Sequence, residues 1–396
     1  MVHRKILGSL LALVVVGPAA GCTASVDVGS AGAGPDAGSS SSSPQAASEA
    51  ASELSIGQNT FAPGEVTPST GTGVMPGQDL MSVPCHPELF ARSVEYSEVL
   101  NYHVNLFLRD VDAMLQGTAS LSGDSITWTY EGHDADVQLR LTQTSPDVYG
   151  VTLAVARPGS HAFVTVVTGS IDRSMPLDVT KQLGFDLDAL HEVFPAAAGD
   201  HSRGQLAVSI ERMKNSQGSE LKRFVTYTLA GFVPVYGDPH GPRNGTVLLL
   251  DEPGVGGSML YDASSDFFCP ANPQDLAMDA TTYVRWVVQG QTVSGRADAI
   301  ATGGQLTSGD RWVGLSCRSY SSDAETGFMT DDGYWLMKEE NASGATVVGS
   351  QTAVQDTIAT DAPCNPVFGV VTALNGDAND PAIPGSLVPD AFPGEF

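Results

Sequence analysis

The sequence predicts a mainly β protein: an antiparallel meander forming a curved sheet or barrel-like body, with one N-terminal amphipathic helix packed on it. Two observations carry that expectation. Apolar residues recur at helical spacing from Leu89 to Gly117 and then change to strict alternation, a switch of period from 3.6 to 2. Only 16% of the 396 residues are charged, against about 25% in an average soluble domain, and the 43 glycines favour turns and strands over long surface helices.

The helix is expected to start near Cys85-His86-Pro87-Glu88, with proline in the first turn and an acid near the positive end of the dipole. Its apolar stripe is Leu89, Tyr96, Leu100, Val104, Phe107, Val111 and Met114/Leu115. His103 lies near that stripe and reads as a hydrogen-bonded core or boundary residue rather than a ligand.

Alternation then marks strands at 126–131, 137–141, 149–155 and 163–171, punctuated by Gly132-His133-Asp134, Ser145-Pro146-Asp147 and Arg157-Pro158-Gly159. Leu183, Leu187, Leu190 and Phe194 suggest a short helix after Asp186. Strands resume at 206–210, 225–229, 247–250, 284–288, 313–317 and 334–336, with Asn341-Ala342-Ser343-Gly344 as a hairpin-like turn before Val347. One helix plus many alternating strands is a meander with the helix on one face or closing one end. The folded region divides into 82–250, helix plus β body, and 251–374, either a continuation of that body or a second β domain; 375–396 reads as a flexible tail.

The first 81 residues read differently. His3-Arg4-Lys5 is a basic start, Ile6 to Val16 an apolar run, and Gly17-Pro18 a break before small residues, the layout of a signal peptide over 1–21. The apolar run is shorter than the ~20 residues a membrane-crossing helix needs. Ala19-Ala20-Gly21-Cys22 resembles the lipobox of bacterial lipoproteins, although Ala19 stands where leucine is commonest. That resemblance implies lipid attachment at Cys22, cleavage before it, and an extracytoplasmic chain anchored to a cell membrane, outer membrane or cell surface. The chain as a whole also resembles envelope lipoproteins of GC-rich bacteria in layout, which implies no activity. Residues 22–81, rich in Ser, Ala, Gly and Pro, are expected to be a disordered tether.

Removing Arg4 and Lys5 with the leader takes the formal charge from -26 to -28. Such acidity repels phosphate backbones, so nucleic acid is not an expected partner. Apart from Cys22, the cysteines are Cys85, Cys269, Cys317 and Cys364. An even number in an exported chain reads as two disulfides, each contributing about 2 to 4 kcal/mol. Three connectivities are open, and in each at least one bridge joins the beginning of the folded region to its end.

The sequence holds no Gly-x-Ser-x-Gly elbow, His-Glu-x-x-His helix or phosphate-cradling loop. Gly254-Val255-Gly256-Gly257-Ser258 reads as a hairpin and Asp238-Pro239-His240-Gly241-Pro242 as a solvated turn. Asp331-Asp332-Gly333 and Asp377-Ala378-Asn379-Asp380 offer oxygen ligands but match no full calcium loop. Trp128, Trp286, Trp312 and Trp335 lie in strand-like runs and are expected in the core. No catalytic, cofactor or metal residue is assigned. The expectation is a noncatalytic binding or structural module with an envelope protein or glycan as partner; the alternatives are a hydrolase with a scattered active site and a lipid carrier.

Overall fold

The computed structural model describes residues 44–54, positions between 97 and 115, and 117–356 with its main interruptions at 196–201, 234–241, 265–277, 323–328 and 348–352. Where the sequence period switches at Gly117, the sheet begins: β1 (Thr118–Ser122), β2 (Ser125–Glu131), β3 (Asp136–Ser145), β4 (Val148–Ala156), β5 (Val164–Met175), β6 (Asp178–Asp186), β7 (Arg203–Lys214) and β8 (Glu220–Val233). It continues through β9 (Arg243–Glu252), β10 (Gly256–Ser264), β11 (Met278–Gln289), β12 (Thr292–Gly303), β13 (Arg311–Ser322), β14 (Met329–Glu340) and β15 (Ala353–Asp356).

All fifteen strands lie in one sheet in chain order, and the neighbours whose register is given pair antiparallel throughout. The expected antiparallel meander is therefore the observed one. Among the described residues β1 and β15 do not pair with each other, so the sheet is open. The β10 strand pairs with β9 on one side and β11 on the other, which makes the strands after 251 part of the same sheet.

Helical residues pack on one face. Val99, Leu100, Val104, Leu108 and Val111 are buried, and Phe107 meets Phe185 of β6 with ring centroids 5.3 Å apart. Tyr227 of β8 donates to Asn101 at 3.3 Å, and Ser97 reaches the sulfur of Met259 on β10 at 3.4 Å. These are the expected stripe residues and their neighbours, and the sheet face they cover reads Val151, Leu183, Val208, Tyr227, Val247 and Tyr261 across the paired strands.

Three further helices are short: α1 (Pro44–Ser52), α2 (Val111–Met114) and α3 (Leu187–Val193). Asp186 caps α3 by accepting from the Ala189 amide at 2.9 Å, which is why the chain can leave β6 and turn into a helix without a linker. The α1 helix corrects the tether reading of 22–81 for residues 44–54. Alanine is the best helix former, and Ala47, Ala50, Ala51 and Leu54 form a small-residue face that lies close against its neighbours with almost no exposure. A face built from alanine is a weak core signal in a sequence, because composition alone reads it as linker.

The β11 and β12 strands are withdrawn from solvent on both faces. Tyr283, Arg285 and Val287 are buried on one face of β11, and Ala280, Thr282, Val284 and Trp286 on the other. On the first face Arg285 sits directly across from Arg296. The Arg296 guanidinium grips both Asp298 oxygens at 2.6 Å, and Arg285 stacks 4.7 Å over the Tyr283 ring. Burial pushes the Asp298 carboxyl above its ordinary value, against the pull of Arg296. On the second face Trp286 lies over Gly257, where any Cβ would collide with the indole ring.

Candidate functional site: a charged belt beneath helix α1

The α1 sequence, Pro-Gln-Ala-Ala-Ser-Glu-Ala-Ala-Ser, puts Glu49 on the flank of its alanine face, and Glu53 follows one turn later, just past the helix end. Glu49 reaches Arg173 of β5 at 3.7 Å, and Glu53 reaches Lys214 at the end of β7 at 3.4 Å. The two acids therefore tie the helix across the ends of three successive strands, β5 to β7. Each of these pairs is partly exposed and contributes at most about 1 kcal/mol. The buried alanine face and Leu54 supply most of the docking.

Beneath lies a row of cations set by the sheet register. Lys181 of β6 stands between Ile171 and Ile210, while Arg212, Arg223 and Asp251 follow one another across β7, β8 and β9 one register step away. Glu220 binds Arg223 at 2.5 Å and lies 3.6 Å from Arg212; Asp251 lies 3.9 Å from Arg223, and Glu252 pairs with Lys222 at 2.6 Å.

Lys181 differs from the rest. It is fully buried, and its Nζ has no hydrogen-bond partner among the described residues. Burial, assisted by the neighbouring Arg212 charge, lowers its pKa to about 7. Burial also lowers that of Arg212. An amine near neutrality is a proton acceptor and a nucleophile, but Lys181 is fully withdrawn from solvent between Ile171 and Ile210. Through Arg173 and Lys214 the belt holds α1.

At the opposite end of the strands the connections are longer. There α3 carries His191, whose Nε2 lies 2.6 Å from the Arg203 guanidinium; burial first, and then Arg203, keep this imidazole below its ordinary pKa. Asp188 accepts from the Gly204 amide at 3.1 Å, tying α3 to the start of β7. Among the described residues no group of three His, Cys, Asp or Glu side chains is placed to hold a metal.

The residues singled out in the sequence are placed as follows. His103 is buried, with Nδ1 2.7 Å from the Val99 carbonyl and its ring edge-on to Phe232, a core residue as expected. Trp128 and Trp286 are core, and Trp312 packs partly buried against it. Gly254 and Gly256 adopt the positive φ of a tight turn, so the glycine run is the β9–β10 hairpin. Asp331 and Asp332 lie in β14 opposite Tyr320 and Ser319, an extended strand rather than a calcium loop. Cys317 sits in β13 opposite Arg296 and Tyr334. Cys22, Cys85, Cys269 and Cys364, residues 238–241 and residues 377–380 lie outside the described residues.

Sequence reasoning missed Lys181, Glu49 and Glu53. A lysine at an inward position breaks the alternation by which β6 would have been recognised, and the two glutamates sit in an alanine stretch that composition assigns to the tether. The available signal was Glu49 and Glu53 at one-turn spacing on one edge of a run of alanines. Comparison with protein-family models, with curated proteins and with solved structures finds no match to this chain.

Proposed function

We propose that this chain is a membrane-tethered extracytoplasmic lipoprotein, held by a lipid on Cys22, whose open sheet is a noncatalytic binding or structural module of the cell envelope with a protein or glycan partner. The observation that carries the reading is Ala19-Ala20-Gly21-Cys22 after a basic start and a short apolar run. Two features of the fold support it. The first described element is α1, twenty-two residues after Cys22, so the sheet rides at most about 75 Å from the anchor. The sheet face that a lipid carrier would leave open is filled over β6 to β10 by the chain's own Phe107, Asn101 and Ser97, which favours a binding module over a carrier.

Metabolic labelling with a clickable fatty acid tests the anchor. The wild-type chain takes up label and fractionates with membranes, whereas Cys22→Ser takes up none. Equal labelling of the two chains would overturn the reading.

A further inference from the structure

In a meander every second connection lies at the same end of the strands. The connections β1–β2, β3–β4, β5–β6, β7–β8, β9–β10 and β11–β12 therefore share one rim, and those between β2–β3, β4–β5, β6–β7 and β8–β9 share the other. The first rim is made of tight hairpins, of two residues in β1–β2 and β3–β4 and five in β7–β8. The other rim carries the long crossings, including the stretch that holds α3.

Among the described residues, the large apolar side chains that stand well out in solvent are Leu121, Met175, Leu177, Leu221 and Val255, exposed by 58, 63, 45, 53 and 47%. All five belong to the hairpin rim. Leu121 flanks the β1–β2 turn, Met175 and Leu177 make the β5–β6 turn, Leu221 follows the β7–β8 turn, and Val255 is in the β9–β10 turn. Arg173, Lys214 and Lys222 stand within three residues of these turns, each paired with a glutamate. The rim thus has isolated apolar tips with a charge-balanced belt set just behind them.

We propose that this hairpin rim is a membrane-docking edge: the five tips enter the boundary between headgroups and acyl chains of the bilayer to which Cys22 tethers the chain, and the belt sits at headgroup level. The inference rests on the lipid-anchor reading for which membrane is met. Three observations select a bilayer as the occupant. The five tips are spread over four hairpins, between β1 and β10, a line about 40 Å long. Such a line offers a few hundred Å2 of apolar surface, short of the roughly 800 Å2 per partner of a stable protein interface, whereas a fluid surface accommodates each tip separately. The α1 helix, the first described element after Cys22, is fastened to this same rim through Arg173 and Lys214. Because the belt is internally paired, neutral lipid suffices and salt has little effect.

The test uses the full lipidated chain in phosphatidylcholine vesicles that carry a photoreactive group on the acyl chain. Cross-links are expected at peptides containing 121, 175–177, 221 and 255, and not at those containing His133, His161 or His191 on the other rim. The triple variant Leu177→Asp, Leu221→Asp, Val255→Asp should keep its melting temperature, since all three sites are exposed, and lose at least about tenfold in rim cross-linking. Cross-links confined to the peptide that begins at Cys22, equal yields at the two rims, or an unchanged yield in the triple variant would overturn the inference. Rim cross-links in a chain whose Cys22 carries no lipid would uphold the docking edge while removing the anchor.

Discussion

The β2–β8 strands and the β11–β12 pair belong to one sheet but are stabilised in two ways. In the first group one face packs on helical residues and the other faces water: Leu183 and Val208 are buried while Gln182, Gln205 and Ala207 are exposed. In the second both faces are buried, one with alanines, a threonine and Trp286, the other with Tyr283, Arg285 and Arg296. A single meander thus passes from a one-sided to a two-sided core without changing topology, and buried charge occurs in both parts, at Lys181 in the first and at Arg285 and Arg296 in the second. In β6 the only buried cation has no partner; in β12 it holds a carboxylate with two short hydrogen bonds.

The largest effect that contrast predicts is at Asp298. Asp298→Ala leaves Arg296 buried without its carboxylate and should lower unfolding free energy by about 3–5 kcal/mol. Gln182→Ala, on the watered face of β6, should change it by less than about 0.5 kcal/mol. Equal values from denaturant titrations would erase the distinction between the two groups. Trp286→Ala should cost about 3–5 kcal/mol through the cavity opened over Gly257, again read from denaturant midpoints.

Lys181→Met should act in the opposite direction. Folded Lys181 has its pKa near 7 instead of 10.5. Between those values the unfolded chain binds more protons than the folded one, so stability rises with pH across that window; below pH 7 the full cost of burying the charge applies. Replacing the ammonium with methionine is expected to stabilise the protein by about 1–3 kcal/mol at pH 7 and to flatten the rise in melting temperature from pH 7 to 10. A loss of stability in Lys181→Met would mean that the charge has a partner.

The smallest effect concerns the clasp on α1. Glu53→Gln should cost no more than about 1 kcal/mol globally, yet increase amide exchange selectively in 44–54, because the ion pair secures only that helix. Unchanged exchange there would assign the docking of α1 entirely to its alanine face.

These same two groups explain what could be read in the sequence. The strands of the one-sided group, such as Ile126-Thr127-Trp128-Thr129-Tyr130, alternate because one face is wet, and they were legible. The β12 sequence, Thr-Val-Ser-Gly-Arg-Ala-Asp-Ala-Ile-Ala-Thr-Gly, has no wet face and small inward residues, so period 2 is erased. The β6 strand was hidden by Lys181 and α1 by its alanines. Of the candidate site, the belt was therefore illegible for the same reason that it is unusual: its charges occupy positions that patterning reserves for apolar residues. The apolar hairpin tips were visible as residues, but only the strand order puts them on one rim.

The proposed lipid on Cys22 would fix both the first residue and the mass of the mature chain. The intact mass of the mature chain tests it most directly: the account predicts a chain starting at Cys22 with the added mass of a diacylglyceryl group, with or without an amide-linked acyl chain. A mature chain that begins elsewhere, or begins at an unmodified Cys22, would contradict it.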